Sequence, residues 1–325
     1  MKRIGFLGTG WIGRHRMAAM LATGAVEAVA VADPSADMVA EGLKLAPDAQ
    51  VVANLDALLA LDLDGVVIAT PSALHAAQSI RALDAGVAVF CQKPLGRDAA
   101  EAARVVDAAR RADRLLLVDF SYRYTDGMQA IAPLGRGGAL GRIHAVDLTF
   151  HNAYGPDKPW FYDRAQSGGG CVMDLGVHLV DLALWVLGFP AVDGPVAAQL
   201  LAGGEPLTAN KVEDYAGAQF RLANGTVVRL TCSWRLHAGR EAVIEAAFYG
   251  SEGGAALRNV DGSFYDFTAE RFAGTRSEVI ATDAGEWGGR AAADWARRLA
   301  AGERFSADAD ELTRVAAVLD AIYAA

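Results

Sequence analysis

The sequence predicts an α/β protein in which a doubly wound parallel sheet is followed by an α/β domain built on a largely antiparallel open sheet. Strand and helix signals alternate over residues 3–119, beginning with an apolar run that ends in a glycine-rich turn. From residue 142 onward, β-branched strand patterns joined by turns dominate, including the hairpin signal Asn224-Gly225. Continuous apolar runs between amphipathic helices are typical of a parallel sheet covered on both faces.

The first strand pattern, Ile4–Leu7, ends in Gly8-x-Gly10-x-x-Gly13, and a helical segment begins at Trp11. In a dinucleotide-binding turn the first glycine permits the tight turn. The second lets the backbone approach a pyrophosphate, and the third allows close packing of helix on strand. The helix start presents free N–H groups and a partial positive charge to the phosphates. The pattern predicts a dinucleotide site in a Rossmann domain; the alternative is an ordinary glycine-rich turn.

Asp33 ends the second apolar run, twenty residues past Gly13, where a carboxylate can accept hydrogen bonds from the adenosine ribose. Because an acid there opposes the extra phosphate of NADP, the predicted cofactor is NAD rather than NADP, with Arg14 as the counter-argument. Ligands of a doubly wound sheet bind at the carboxyl ends of its strands. The cofactor-binding candidates at these ends are Gly8, Gly10, Trp11, Ile12, Gly13, Asp33, Thr70, Pro71, His75, Gln92 and Lys93. Thr70 and Pro71 fit a capped helix start equally well.

The length of 325 residues predicts two domains. These are a dinucleotide-binding domain at 1–121 and a substrate-binding and oligomerisation domain at 122–325, whose last helix is free to pack back on the first. A net charge of −9 argues against nucleic acid as a partner. No run reaches the roughly 18 apolar residues of a membrane span, and a strand from Arg3 leaves no room for a signal peptide. Three cysteines without paired spacing are typical of reduced thiols, so we expect a cytoplasmic protein without a membrane partner.

A second informative stretch, Ser167–Asp181, places a glycine run before a helix that carries Asp174 and His178. Glycines allow a loop to pass close to a ligand or to another backbone. Residues four apart share a helix face, and an aspartate beside a histidine suits a general base. The alternative is a helix with an acid near its start and a partly buried histidine. No third histidine or cysteine at ligand spacing supports a metal site, so none is predicted.

These motifs together resemble the Gfo/Idh/MocA family of oxidoreductases. The order GxGxxG, an acid, x-Lys-Pro at Lys93, and GGGxxxDxGxH runs through essentially the whole chain. The resemblance implies an N-terminal Rossmann domain and a C-terminal domain whose open sheet commonly forms dimers or tetramers. It also implies that Lys93, Asp174 and His178 line the substrate site. The sequence departs from the family at Gln92, where Glu is usual. Glutamine keeps the shape and can bond a ribose hydroxyl, but it removes a charge beside Lys93.

The segment from Tyr122 resembles the family's entry into the second domain, which often reaches the substrate pocket. The loop His151–Gln166 mixes aromatic and hydrogen-bonding side chains, which suits a sugar or cyclitol but equally a loop packed under its own aromatic rings. Cys171 has no lysine or arginine beside it, which disfavours a nucleophilic role. The substrate-binding candidates are Tyr122, Arg123, Trp160, Arg164, Asp174 and His178.

The expected function is that of an NAD(P)-dependent oxidoreductase. It would transfer a hydride between nicotinamide and a secondary alcohol or lactol carbon of a sugar, cyclitol or sugar derivative, with Lys93, Asp174 and His178 as catalytic residues. The alternatives are a hydrolase or dehydratase that recycles tightly bound NAD, and a non-catalytic sensor. The expected substrate is an uncharged or weakly charged polyol. We also expect a homodimer or homotetramer, because apolar-rich strands such as Val227–Trp234 and Val243–Phe248 predict an open sheet face that needs cover.

Overall fold

A computed structural model describes residues 1–325, which form two compact units. The N-terminal unit comprises Met1–Ser121 and Gly288–Thr313, and the C-terminal unit comprises Tyr122–Trp287 and Arg314–Ala325. The chain therefore passes from one unit to the other more than once. Residues 288–313 belong to the N-terminal unit, whereas the sequence-based assignment placed them in the second domain.

The N-terminal unit is built on a six-stranded sheet in the order β3-β2-β1-β4-β5-β6, and all of its strand pairs are parallel. This confirms the predicted doubly wound parallel sheet. The strands are β1 Lys2–Leu7, β2 Val26–Ala32, β3 Gln50–Val51, β4 Gly65–Ile68, β5 Ala88–Cys91 and β6 Leu116–Val118. The helices between them are α1 Trp11–Leu21, α2 Ala36–Leu43, α3 Leu55–Leu59, α4 Ser72–Asp84 and α5 Ala99–Ala112.

The starts of these helices fall into two groups. Helices α2, α3 and α5 begin with a side-chain cap, supplied by Ser35, Asn54 and Asp98 respectively. Helices α1 and α4 begin after Gly10 and Pro71 and have no side-chain cap. Because the first N–H groups of a helix lack intrahelical partners, the uncapped starts leave backbone donors at the carboxyl edge of the sheet.

The C-terminal unit is built on a nine-stranded sheet in the order β15-β14-β13-β12-β7-β11-β10-β8-β9. Neighbouring strands of this sheet are antiparallel, except that β7 and β11 are parallel. This confirms the predicted largely antiparallel sheet. Asn224-Gly225 joins β10 to β11 as predicted, with φ of 86° at the glycine. The strands are β7 Ile143–Asn152, β8 Ala197–Ala202, β9 Glu205–Pro206, β10 Tyr215–Arg221, β11 Val227–Ser233, β12 Ala242–Gly250, β13 Gly254–Asn259, β14 Phe267–Ala273 and β15 Arg276–Asp283.

The two faces of this sheet differ in chemistry. Alternate residues of β11 such as Val228 and Leu230 are buried, whereas Arg229 between them is exposed. Arg229 pairs with Asp147 of β7 at 2.7 Å across the outward face, and Arg258 pairs with Glu245 at 2.8 Å on neighbouring strands. The outward face is therefore mixed rather than apolar, because strand alternation directs residues such as Val228 and Leu230 inward and leaves charged pairs on the outward face.

The helices of the C-terminal unit are α6 Asp126–Arg136, α7 Arg164–Ser167 and α8 Val177–Leu187, with a π-helical turn at Val172–Gly176 before α8. The helical stretch Arg164–Leu187 is apolar and long enough to cross a membrane by length and composition, but 83% of its most apolar window is buried inside the protein. Core helices commonly have this composition. Nearly all residues of its C-terminal part, α8, are buried.

Two helices close the chain, α9 Arg290–Ala300 and α10 Asp310–Tyr323. Helix α9 packs against α1 and β5. Its Trp295 is fully buried, and a Cβ added at Gly65 of β4 would lie 2.6 Å from the indole. This packing explains why residues 288–313 belong to the N-terminal unit.

Candidate functional site

The glycines of the first turn have separate structural roles. Gly8 has φ of 90°, and a Cβ there would lie 2.4 Å from the carbonyl oxygen of Ala69. A Cβ at Gly13 would lie 2.2 Å from the carbonyl oxygen of Gly8. Beside Gly10 there is open space, with no atom within 4 Å of an added Cβ. The first and third glycines are thus required by internal packing, whereas Gly10 leaves its backbone accessible to a ligand.

Helix α1 begins immediately beyond this open space. Trp11 and Ile12 are its first residues, and no side chain caps the N–H groups there. Trp11 is 59% exposed, and its ring lies 5.8 Å from that of His15. Unsatisfied N–H groups and the partial positive charge of a helix N-terminus favour a bound phosphate. The turn therefore fits the pyrophosphate of a dinucleotide.

Asp33 is held next to the glycine turn. Its Oδ2 accepts a hydrogen bond from the backbone N–H of Thr9 at 2.8 Å, and its Oδ1 accepts one from Ser35 at 2.9 Å. Arg14 donates through Nη1 to the carbonyl oxygen of Thr9 at 2.7 Å. The Asp33 carboxylate and the Arg14 guanidinium thus both form hydrogen bonds with the backbone of Thr9. The carboxylate fits adenosine ribose hydroxyls, and the Arg14 guanidinium is the nearby cation that would favour NADP.

The loops after β4 and β5 are joined through His75. Its ring nitrogens lie 2.6 Å from the carbonyl oxygen of Pro94 and 2.7 Å from that of Thr70. Burial lowers the pKa of His75, although the two carbonyl contacts act in the opposite direction. The Thr70 hydroxyl donates to Gln78 at 2.6 Å, and Pro71 precedes the first turn of α4. Because backbone groups occupy both of its nitrogens, His75 holds the two loops together.

Gln92 and Lys93 follow β5, and the Lys93-Pro94 peptide bond is cis. The Gln92 amide donates through Nε2 to Oδ2 of Asp119 at 2.7 Å, and Arg16 donates through Nε to the same oxygen at 2.6 Å. Sequence reasoning missed Arg16 and Asp119 as members of this site. The available signal was an acid directly after the apolar strand β6, at the carboxyl edge of the sheet.

In the C-terminal unit, the glycine run before α8 fits under other protein groups. Gly168 has φ of 87° and ends α7. A Cβ at Gly169 would lie 1.9 Å from the Tyr323 hydroxyl, and a Cβ at Gly170 would lie 1.9 Å from the carbonyl oxygen of Glu213. Gly170 thus passes close to another backbone, which is one of the two possibilities left open by the sequence.

Glu213 anchors the start of the helix that carries the candidate catalytic pair. Its Oε1 accepts hydrogen bonds from the N–H groups of Gly170 at 2.9 Å and Val172 at 3.0 Å, and from the Tyr323 hydroxyl at 2.7 Å. The side chain is 1% exposed, and burial raises the pKa of Glu213 despite these bonds. The sequence carried no signal for this contact, because Glu213 and Tyr323 lie far from the glycine motif along the chain.

Asp174 lies in the π-helical turn, and His178 lies in the first turn of α8. The regular α-helical spacing expected between them is wrong in detail, since a π-helical turn contains more residues than an α-helical one. Oδ2 of Asp174 accepts a hydrogen bond from Nε1 of Trp234 at 3.0 Å. Sequence reasoning did not identify Trp234, which follows β11 directly.

His178 is 8% exposed and packs against Tyr122. The two rings are 4.9 Å apart and meet edge to face at 62°. Tyr122 is itself enclosed by Phe150 and Trp287, at ring distances of 5.8 and 4.8 Å. Aromatic packing on this scale fixes ring orientation. The predicted substrate contact Tyr122 thus packs directly on the imidazole.

Arg123 is engaged inside the C-terminal unit. It donates through Nε to Asp181 at 2.8 Å and through Nη2 to the other carboxylate oxygen, and both side chains are largely buried. Its guanidinium also lies over the rings of Trp185 and Phe189, at 5.8 and 5.3 Å. These contacts give Arg123 a packing role on the helix that carries His178.

The expected loop 151–166 begins in β7, contains a 3₁₀ turn at Pro159–Tyr162 and ends in α7, and its aromatic rings pack on one another and on Trp234. Trp160 stacks on Phe161 at 3.8 Å, and both Phe161 and Tyr162 meet Trp234 edge to face. Arg164 lies over the ring of Tyr323 at 5.5 Å. The loop is therefore connected through Trp234 to Asp174.

Two buried thiols lie near the start of the π-helical turn that precedes α8. Sγ of Cys171 lies 3.8 Å from Sγ of Cys232, and burial raises the pKa of Cys171 well above its usual range. A thiol that stays protonated is a poor nucleophile. The environment of Cys171 agrees with the expectation that it is no nucleophile. No group of three or more His, Cys, Asp or Glu side chains in the structure could hold a metal ion.

Comparison with known proteins identifies the family. Residues 2–120 match the model of the oxidoreductase family with an NAD-binding Rossmann fold, and residues 128–256 match that of the GFO/IDH/MocA C-terminal domain. Together these matches cover more than half of the chain. The chain belongs to the Gfo/Idh/MocA family of oxidoreductases, and its N-terminal unit contains an NAD(P)-binding Rossmann domain.

Several relatives are named as dehydrogenases. D-glucoside 3-dehydrogenase of Escherichia coli (strain K12) is 31% identical over 212 residues, which are 62% of this chain and 60% of the relative. Levoglucosan dehydrogenase of Pseudarthrobacter phenanthrenivorans is 31% identical over 59% of this chain and 54% of the relative. Inositol 2-dehydrogenase of Rhizobium meliloti is 30% identical over 79% and 76%. The matches to the first two relatives thus span less than two thirds of their lengths.

Solved structures share the whole fold. Levoglucosan dehydrogenase in complex with NADH and levoglucosan superposes with a TM-score of 0.83 at 23% identity, over 99% of this chain and 96% of the other. GenD2 from gentamicin A biosynthesis, in complex with NAD, gives 0.82 at 24% identity over 99% and 93%. The ketoreductase KijD10 from Actinomadura kijaniata, in complex with NADP, gives 0.83 at 22% over 99% and 97%. Because all three identities are below 25%, the similarity establishes the fold alone.

Proposed function

We propose that this protein is an NAD-dependent dehydrogenase that oxidises a secondary alcohol or lactol carbon of a sugar, cyclitol or related polyol. The observation that carries the proposal is the hydrogen bond that holds Asp174 in the motif GGGxxxDxGxH, in a chain that also has a dinucleotide turn. The dehydrogenase names of the sugar and inositol relatives support the substrate class.

The glycine turn would bind the cofactor. The open space beside Gly10, the uncapped start of α1 and the anchored carboxylate of Asp33 support this assignment. When bound, the nicotinamide ring exchanges a hydride with the substrate carbon. The task of the protein is to position that carbon and to manage the hydroxyl proton and the charge on oxygen.

In the proposed mechanism, His178 accepts the proton of the substrate hydroxyl as general base. Asp174 orients His178 and binds a substrate hydroxyl, and Trp234 holds Asp174 through the indole N–H. Lys93 stabilises the oxygen as it gains negative charge. The edge-to-face packing of Tyr122 on His178 supports a fixed orientation for the base. Trp160 and Arg164 would contact the substrate, because their segment is connected through Trp234 to Asp174.

We further propose NAD rather than NADP as the preferred cofactor. The carboxylate of Asp33 opposes the additional phosphate of NADP by charge repulsion. Arg14 is half-buried, and its Nη1 already donates to Thr9. A guanidinium held in this way is less available to a phosphate than a free surface arginine would be.

We also propose that the protein is cytoplasmic and forms a homodimer or homotetramer through the outward face of the nine-stranded sheet. Paired charges such as Arg229 and Asp147 would lie in that interface. Their mutual neutralisation makes a face with both signs compatible with a second copy of itself. Light scattering at micromolar concentration tests this, and the mass of a monomer would contradict it.

The proposed function is tested by incubating the protein with NAD or NADP and a panel of sugars, inositols and sugar acids. Absorbance of the reduced cofactor reports turnover. Turnover of at least one uncharged polyol with NAD supports the proposal. Strict dependence on a substrate carboxylate or phosphate would contradict the substrate class, and release of product without net use of NAD would favour the recycling hydrolase or dehydratase.

A further inference from the structure

Three polar side chains converge where β5 and β6 end. The parallel register pairs Cys91 with Val118, so positions 92 and 119 follow as neighbours at the carboxyl edge of the sheet. Gln92 donates through Nε2 to Oδ2 of Asp119 at 2.7 Å, and Arg16 of α1 donates through Nε to the same oxygen at 2.6 Å. The Asp119 and Arg16 side chains are 1% and 8% exposed, so the contacts are shielded from water.

The ion pair determines which way the Gln92 amide faces. The guanidinium of Arg16 carries only donors and is always charged, so Oδ2 of Asp119 acts as an acceptor. The Gln92 group that faces this oxygen must therefore be the NH₂ group. Since the amide is planar, its carbonyl oxygen Oε1 is directed away from Asp119 and remains the acceptor of this side chain.

The same geometry accounts for the departure from the family at position 92. A glutamate there would bring a second carboxylate to within hydrogen-bond distance of Asp119, and two adjacent carboxylates cannot both ionise without strong repulsion. With glutamine, the carboxylate lies at 119 and the residue at 92 keeps its acceptor. The charge that the sequence lacks at position 92 is thus present one strand further along.

We propose that Asp119 is a positioning residue that, together with Arg16, orients the Gln92 amide so that Oε1 accepts a hydrogen bond from a ribose hydroxyl of the nicotinamide nucleotide. This inference rests on the proposed function for the identity of the ligand. It assigns Arg16 and Asp119 to cofactor binding through Gln92, with no contact of their own to the cofactor.

The test compares NADH affinity with stability in two variants, without any substrate. In Asp119→Asn, Arg16 forces the amide oxygen to face both donors, so the orientation of Gln92 survives although the ion pair is lost. In Arg16→Met/Asp119→Ala, the acceptor is gone and no unpaired charge remains buried. We expect the first variant to be less stable but to bind NADH like wild type. The second should bind NADH roughly 3- to 10-fold more weakly, on the scale of one hydrogen bond.

A mutant cycle with Gln92→Leu separates positioning from a purely structural role. If Asp119 acts through Gln92, adding Arg16→Met/Asp119→Ala to Gln92→Leu produces no further loss of NADH affinity. The inference would be overturned if Arg16→Met/Asp119→Ala bound NADH as tightly as wild type. It would also be overturned if the losses of NADH affinity in Arg16→Met/Asp119→Ala and Gln92→Leu added in full when the changes were combined. Either result would leave the proposed function intact. Failure of wild type to bind NADH or NADPH at all would overturn the proposed function and this inference with it. Fluorescence titration measures affinity, and urea unfolding measures stability.

Discussion

The indole N–H of Trp234 donates to Oδ2 of Asp174 at 3.0 Å. This bond joins the end of β11 to the π-helical turn before α8 and fixes one oxygen of the candidate catalytic carboxylate. Trp234 also meets Phe161 and Tyr162, from the segment 151–166, edge to face. One side chain therefore positions Asp174 and supports the loop of the candidate substrate site.

Trp234→Phe should lower kcat/KM by roughly 10-fold, because a hydrogen bond to a charged group is lost while most of the ring packing remains. Steady-state kinetics on the best polyol substrate checks this. Trp295→Phe is the matched control, since its indole N–H is buried without a partner. Equal losses in the two variants would mean that the effect comes from packing alone.

His178→Asn should lower kcat by roughly 100-fold or more, the scale of losing a general base, and leave NADH affinity nearly unchanged. In wild type the rate of oxidation should rise with pH and then level, because only the neutral imidazole accepts a proton. Lys93→Met should instead lower kcat at every pH. His144→Asn, at an exposed position of β7, is the control. A pH-dependent limb that survives in His178→Asn would assign the proton transfer to Lys93.

Asp33→Ala should reduce the preference for NAD over NADP by roughly 10-fold, equivalent to about 1.4 kcal/mol of discrimination. The physical reason is the removal of a negative charge where the additional phosphate would bind. The ratio of kcat/KM values for the two cofactors checks this. Asp37→Ala, an exposed acid in the first turn of α2, should leave the ratio unchanged. A wild-type preference for NADP would contradict the premise.

Glu213→Gln tests the pH dependence of stability. Burial raises the pKa of Glu213, so between the unfolded and folded pKa values the folded protein binds more protons than the unfolded chain. The contribution of Glu213 to the stability of wild type therefore falls as pH rises through that window, and the loss is complete above the folded pKa. Glutamine does not titrate, so the stability of the variant relative to wild type should increase with pH. Urea unfolding from pH 4 to 8, an interval that begins about at the unfolded pKa, checks this. A difference that is constant or declines with pH would contradict the prediction.

Gly170→Ala should lower the free energy of unfolding by about 1–3 kcal/mol or more, because its Cβ would overlap the backbone of Glu213. Gly217→Ala on β10 is the control, since no atom lies within 4 Å of the added Cβ. Urea unfolding of both variants gives the comparison. Similar midpoints for Gly170→Ala and wild type would show that the loop can shift freely.

Local patterns predicted most of the fold. The periodic apolar runs predicted both sheets, and Asn224-Gly225 predicted the hairpin, because these signals depend only on residues close together in the sequence. The placement of α9 was missed, since its burial depends on Trp295 meeting Gly65 far away in the chain. The outward face of the second sheet is mixed rather than apolar as predicted, because composition does not distinguish the two faces of a strand whereas alternation does.

The candidate site was predicted through motifs and missed where it depends on long-range partners. Gly8, Gly10 and Asp33 were identifiable from their spacing. Trp234 lies 60 residues from Asp174, and Asp119 lies 103 residues from Arg16, so no spacing rule connects them. Contacts between residues this far apart arise only from the packed tertiary structure.

The π-helical turn at Val172–Gly176 bears on how this chain should be aligned with its relatives. An α-helix turns about 100° per residue, so one additional residue rotates everything before it by about that angle relative to α8. Deleting one residue from the turn would restore a continuous helix and carry Asp174 away from Trp234. A one-residue insertion or deletion between Asp174 and His178 is therefore a change of geometry, which the fixed spacing of the motif DxGxH avoids.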